Sequence, residues 1–165
     1  MPVTDRDRAA VVRSVLAALG AAGSTLAVAE SLTGGLLAFE LADAPGASEV
    51  FVGSVTAYTS EAKRTVLGVD RDVLGREGAV SPEAARQMAR NVRRLMNSTY
   101  ALATTGVAGP QTQDGQPVGT VYIAFADSHG TEVIERHLDG DRHTVQQHCV
   151  AEALRLVQDH LRPDG

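Results

Sequence analysis

The chain has a single cysteine, Cys149, in 165 residues. That excludes an internal disulfide and any cysteine-based zinc site. Aromatic residues make up only 4% of the chain and the formal net charge is −5. The basic stripe and stacking platforms of a nucleic-acid surface are therefore missing, and no nucleic-acid partner is expected. No apolar run approaches the ~18 residues of a membrane span, so no membrane partner is expected either. The opening Met-Pro-Val-Thr-Asp-Arg-Asp-Arg is charged and has no apolar stretch of the signal-peptide kind, which implies a cytoplasmic protein. The GxSxG elbow, the dinucleotide GxGxxG and the GxxxxGK phosphate loop are all absent. With them go the α/β-hydrolase serine and the usual nicotinamide dinucleotide and ATP sites. His129, His137, His143, His148 and His160 show no metal-ligand spacing, so neither a metal nor a cofactor is expected.

What is present reads as one domain over 1–165. The 44% hydrophobic content is that of a globular chain, with no repeat, low-complexity run or linker. The spacing predicts a helix from Asp5 to Leu19, with Thr4 as its cap and Val12, Val15, Leu16 and Leu19 on one stripe. Thr25 to Ala29 is an apolar strand, and Leu36 to Ala42 a helix that stops before Ala44-Pro45-Gly46. Glu49 to Ala57 reads as a strand, Thr59 as the cap of a short helix, and Asp70 to Glu77 as a further helical turn. Ser81-Pro82-Glu83 opens a helix to about Met96, with a capping serine and proline at the first helical position. Its Arg86, Arg90, Arg93 and Arg94 read as a solvated face. Strands follow over Ala101–Thr105, Gly119–Ala126 and Thr131–Leu138, the last two joined by a hairpin at Ser128-His129-Gly130. A final helix begins near Gly140-Asp141-Arg142, with Val145, Cys149, Leu154, Val157 and Leu161 inward. Alternating helix and strand with a late antiparallel hairpin predicts an α/β layered domain, its mixed, mostly parallel sheet flanked by helices on both faces.

The chain is organised around Ala27-Val28-Ala29-Glu30-Ser31-Leu32-Thr33-Gly34-Gly35. This order of strand, tight turn and helix puts Ser31 at a strand's carboxyl end beside a helix N-terminus. Free N–H groups there can stabilise an oxyanion or hold an anion. The stretch alone reads equally well as an ordinary βα turn with a serine cap. Ligands of such folds bind at the carboxyl ends of strands. Tyr58–Lys63 and Thr105–Gly109 end there too, and Gly140-Asp141-Arg142 can join them. A serine nucleophile without a histidine needs another proton acceptor. Lys63 serves if burial and the nearby helix start bring its amine down toward ~7–8; otherwise it is a surface ion-pair lysine.

The chain also resembles a known family. The segments are Ala-Glu-Ser-x-Thr-Gly-Gly at 29–35, Pro-Gly-x-Ser at 45–48, Ala-Tyr-Thr-x-Glu-Ala-Lys at 57–63 and Gly-Ala-Val-Ser at 78–81. They continue with Thr-Gly-Val-Ala-Gly-Pro at 105–110, Pro-Val-Gly-Thr-Val at 117–121 and Gly-Asp-Arg at 140–142. Seven motifs in this order resemble the C-terminal domain of CinA, the competence/damage-inducible family of nicotinamide-nucleotide amidohydrolases. The resemblance implies hydrolysis of the carboxamide of nicotinamide mononucleotide to nicotinic acid mononucleotide and ammonia. It implies Ser31 as nucleophile, Lys63 as base and Tyr58 as their catalytic neighbour. Thr105, Arg142 and Ser48 follow from it as substrate-binding positions, and a homo-oligomer as the assembly. The turn residues Thr33, Gly34 and Gly35, where a ligand can approach the backbone, and the backbone of Gly106, Ala108 and Gly109, a cradle for the phosphate, complete the expected binding set.

Four departures from the family pattern stand out. Ser60 replaces the usual Asn, and Leu32 a small residue. The 111–116 loop lacks paired glycines and the lysine before Pro117, and Gln146 replaces an arginine. The last two remove positive charge from the presumed phosphate side. They leave two other readings open: a catalytically silent nucleotide- or partner-binding domain of a competence or damage response, or an amidase for another small carboxamide. The family's frequent pyrophosphatase domain has no counterpart among these residues.

Overall fold

Strand burial already orders the sheet. In the computed structural model, which describes residues 5–162, β1 (Leu26–Glu30) is buried at every position. It lies between two parallel neighbours, β2 (Phe51–Thr56) and β3 (Tyr100–Gly106). β4 (Thr120–Ala126), buried throughout, pairs antiparallel with β3, and β5 (Thr131–His137) pairs antiparallel with β4. The order is β2-β1-β3-β4-β5, in which β4 alone runs against the rest. The edge strands β2 and β5 alternate or face solvent, as edges do. The sheet is thus mixed and mostly parallel, with the late hairpin at one edge.

The two sheet faces differ in side-chain size. Val28, Leu102, Ile123 and Phe125 meet α1 (Asp5–Ala21), α2 (Leu36–Asp43) and α7 (Arg142–Leu161) through Val15, Leu19, Leu37, Leu41, Cys149 and Leu154. On the other face Ala27, Ala29, Ala101, Ala103 and Ala124 alternate with them, and α6 (Pro82–Met96) packs Ala85, Met88, Ala89 and Val92 there. Small residues on that face let one helix sit close to three strands. The same alternation, continued past the strand end, turns Glu30 and Ser31 to opposite faces.

Caps hold the short helices. Ser81 Oγ accepts from Ala84 N at 3.2 Å with Pro82 behind it, and Thr59 Oγ1 accepts from Ala62 N at 3.0 Å to open α4 (Ser60–Thr65). Asp70 caps α5 (Arg71–Arg76). The expected strand from Glu49 is shorter: Gly46 caps α3 (Ala47–Val50), which takes Glu49 and Val50. A short β-branched apolar run cannot distinguish a buried helical turn from a strand. α1 continues through Gly20 to Ala21, two residues beyond the expected end, while its expected cap Thr4 lies outside the described residues. Leu161 is only half-buried. Among the described residues no helix is long and apolar enough to cross a membrane.

Candidate active site

β1 delivers Ser31 to the α6 face at the carboxyl end of the sheet, and α4 delivers Lys63 to the same point. Ser31 is buried and Lys63 is 1% exposed. Lys63 Nζ lies 2.8 Å from Ser31 Oγ, 3.0 Å from the Ala57 carbonyl and 3.4 Å from the Tyr58 carbonyl. Burial brings the Lys63 amine down to about 8, opposed by the charge of Asp114. A neutral amine has two N–H groups and one lone pair. If the two carbonyls take both hydrogens, the lone pair faces the Ser31 hydroxyl. Lys63 is also the only lysine in the chain, beside fourteen arginines. That count is a sequence signal the motif reading did not use, since a chain with no surface lysine retains one in its interior.

The helix N-terminus behind Ser31 differs from expectation. Ser31 does not cap α2; Gly35 does, at φ 103. The α2 N–H groups are not open to an anion either. The fully buried Glu30 carboxylate takes Gly35 N at 3.2 Å, Leu37 N at 3.0 Å and Ala38 N at 2.8 Å. The Glu30 side chain therefore occupies the helix start that the sequence offered to an oxyanion or phosphate. The rest of the turn can be counted donor by donor. Ser31 N donates to the Thr104 carbonyl, Gly34 N to Ser31 and Leu36 N to Thr33, each at 3.0 Å. Among the described residues that leaves the N–H groups of Leu32 and Thr33 without an acceptor. Gln146 Nε2 donates to the Leu32 carbonyl at 2.8 Å. Carbonyl and N–H of one trans peptide point in opposite directions, so Gln146 fixes the direction of the Thr33 N–H.

A cleft of about 210 Å³ opens beside Ser31, lined by Leu32, Tyr58, Gly106 to Gly109, Gln111 to Gln113 and Arg142. Arg142, in the first turn of α7, donates from Nη1 to the Tyr58 hydroxyl at 3.2 Å and from Nη2 to the Gly109 carbonyl. Tyr58 is 56% exposed at the rim. The N–H groups of Ala108 and Gly109 have no acceptor among the described residues. A larger groove of about 470 Å³ between α1 and α2 holds the Arg8–Glu40 ion pair but no nucleophile.

The structure thus brings Ser31, Lys63, Tyr58, Gly106, Ala108, Gly109 and Arg142 to one place. It turns the side chains of three other expected residues elsewhere. Thr33 Oγ1 bonds Thr104 Oγ1 at 2.8 Å in the interior. Thr105 is fully buried and donates to the Ala79 carbonyl at 2.7 Å, bracing the turn before α6. Ser48, exposed on α3, precedes the start of β2, which pairs with the start of β1. Roughly 15 Å of strand separates it from Ser31 within one chain. Gly34 and Gly35 shape the turn at φ 61 and 103.

Fold and site together define an open mixed-sheet α/β domain with a buried serine–lysine pair at the strand ends. Residues 8–161 match the CinA C-terminal domain family, and the chain belongs to it. It is 50% identical over 147 residues to a CinA-like protein of Frankia casuarinae, covering 89% of this chain and 34% of that protein. It is 44% identical over 161 residues to a CinA-like protein of Syntrophomonas wolfei, covering 96% and 38%. The chain thus spans about a third of the length of these curated relatives. Among solved structures, the competence damage-inducible protein A from Klebsiella pneumoniae superposes with a TM-score of 0.91 at 34% identity, covering 93% of this chain and 96% of that one. The competence/damage inducible protein CihA from Agrobacterium tumefaciens gives 0.88 at 34%, covering 94% and 95%.

Proposed function

We propose that this domain hydrolyses the carboxamide of nicotinamide mononucleotide through an acyl-enzyme on Ser31. The observation that carries the reading is the Lys63–Ser31 contact of 2.8 Å on a buried amine brought down to about 8. Ser31 Oγ attacks the amide carbon as its proton passes to Lys63 Nζ. The N–H groups of Leu32 and Thr33 are the donors available to the oxyanion, each contributing ~3–4 kcal/mol in comparable sites. The C–N bond then breaks as Lys63 returns that proton to the departing nitrogen, which leaves as ammonia. Water repeats the sequence on the ester, giving its proton to Lys63, and the acid departs with Ser31 restored. Arg142 and the Ala108 and Gly109 N–H groups supply donors for the phosphate in an otherwise acidic protein.

One observation favours a smaller amide. Arg142 is already engaged with Gly109 and Tyr58, so a phosphate must share or displace those contacts. Ammonia release from nicotinamide mononucleotide, nicotinamide and glutamine, measured side by side, separates the readings. Turnover of the mononucleotide above the other two is expected. Preference for either of the others reassigns the substrate, and no release from any of them contradicts the amidase reading.

A further inference from the structure

The 111–116 loop departs most from the family pattern, and the structure gives it a form of its own. Gln113 and Gln116 exchange backbone hydrogen bonds, 3.3 Å from Gln113 N and 2.8 Å from Gln116 N. Asp114 and Gly115 between them have φ 52 and 72. Positive φ at both central positions, with the sequence Asp-Gly, marks a type I′ hairpin turn. Its tip docks on the turn before α6: Asp114 Oδ2 accepts from Val80 N at 3.1 Å. A Cβ on Gly78 would fall 2.8 Å from the Asp114 Cβ and Cγ, and Gly78 itself sits at φ 85, so only glycine fits beneath the tip. The same turn is held by Ser81 Oγ on the Gly78 carbonyl and Thr105 Oγ1 on Ala79. Gln111, Thr112 and Gln113, just before the tip, form one wall of the cleft beside Ser31.

We propose that Asp114 is a positioning residue of this site: its carboxylate latches the hairpin wall of the cleft onto the α6 cap and brings a negative charge within reach of Lys63. The role rests on the reading of Lys63 as the base. Charged groups on the neighbouring elements have other partners. On its own helix Glu61 pairs with Arg64 at 2.7 Å, and in the first turn of α6 Glu83 pairs with Arg86 at 3.1 Å. Arg142 is tied to Tyr58 and Gly109 across the cleft, and Glu30 is turned to the opposite sheet face under α2. The negative charge of Asp114 favours the ammonium form of Lys63, against the effect of burial. It is itself solvent-exposed, so the effect is a tuning rather than a switch.

Because Lys63 is the only lysine, protein made with 13Cε-lysine gives one side-chain resonance that titrates without any substrate. In Asp114→Asn, which retains an acceptor for Val80 N, the Lys63 midpoint moves to lower pH while exchange of the Val80 amide hydrogen is unchanged. In Asp114→Ala the midpoint also falls, and the Val80 hydrogen exchanges about tenfold faster as its hydrogen bond is lost. A Lys63 midpoint that stays in place in both variants, or Val80 exchange that does not respond to Asp114→Ala, overturns the proposal. If the wild-type protein releases no ammonia, the amidase reading fails while both readouts still decide the latch. If it does, the kcat/KM profile of Asp114→Asn shifts to lower pH with KM unchanged, whereas Asp114→Ala raises KM.

Discussion

Lys63 sits in the interior with a serine hydroxyl and two carbonyls for company. An ammonium there gains hydrogen bonds but loses its hydration, and the burial cost is what depresses its proton affinity. A residue held this way is suited to accept a proton near neutral pH. Ser31→Ala should therefore lose turnover by ~10⁴-fold or more while remaining folded; activity within tenfold of wild type, by the ammonia assay, removes Ser31 from the nucleophile's role. Lys63→Arg should be inactive as well, because a guanidinium keeps its proton. Arg142→Ala should raise KM for the mononucleotide about ten- to a hundredfold and leave the dephosphorylated riboside nearly unchanged. Equal effects on both substrates would mean that Arg142 does not read the phosphate.

At the scale of the element, the Ser31 turn is held from both ends. Glu30 secures the start of α2 with three backbone hydrogen bonds, and Gln146 of α7 holds the Leu32 carbonyl. Glu30→Ala leaves three backbone N–H groups without their acceptor, that of Leu37 buried and those of Gly35 and Ala38 part-buried, so a loss of about 3 kcal/mol is expected, visible as a Tm lower by about 10 °C. An unchanged Tm would mean the cap contributes nothing. Gln146→Leu should lower kcat by about ten- to a hundredfold with little change in KM, because it frees the peptide that aims the Thr33 N–H. A rise in KM alone would place Gln146 on the substrate side instead. The turn, the Ser81–Pro82 helix start and the Thr59 cap were all legible in the sequence, because each rests on local hydrogen bonding. Glu30 was not: a Glu-Ser pair after an apolar run reads the same whichever residue faces the helix. Only the alternation along β1 separates the two.

Across the whole molecule, the sheet order was legible as a class but not in its consequences. Strand and helix alternation identified a mixed, mostly parallel sheet, while short α3 overlapped the start of the strand expected from Glu49. Motif order along the chain also says nothing about which end or face a residue reaches. Thr105 thus braces the turn before α6, and Ser48 lies at the far end of the sheet. The buried lysine has a cost that the whole fold carries. With Lys63 at about 8 in the folded protein against 10.5 ordinarily, the unfolded chain holds the extra proton between those values. Folding stability gains from this residue as pH rises through that window, and the penalty is full below it. Wild type should therefore gain about 3 kcal/mol over Lys63→Met between pH 8 and 10.5 by denaturant unfolding. A constant difference would mean that Lys63 titrates as an ordinary lysine.

The pH dependence of kcat/KM for ammonia release from nicotinamide mononucleotide tests the pairing of a neutral Lys63 with Ser31 most directly. The account predicts a tenfold rise per pH unit at low pH and a plateau above a midpoint near 8, the value burial gives Lys63. A profile that is flat from pH 6 to about 9, or that falls through this range, would contradict it.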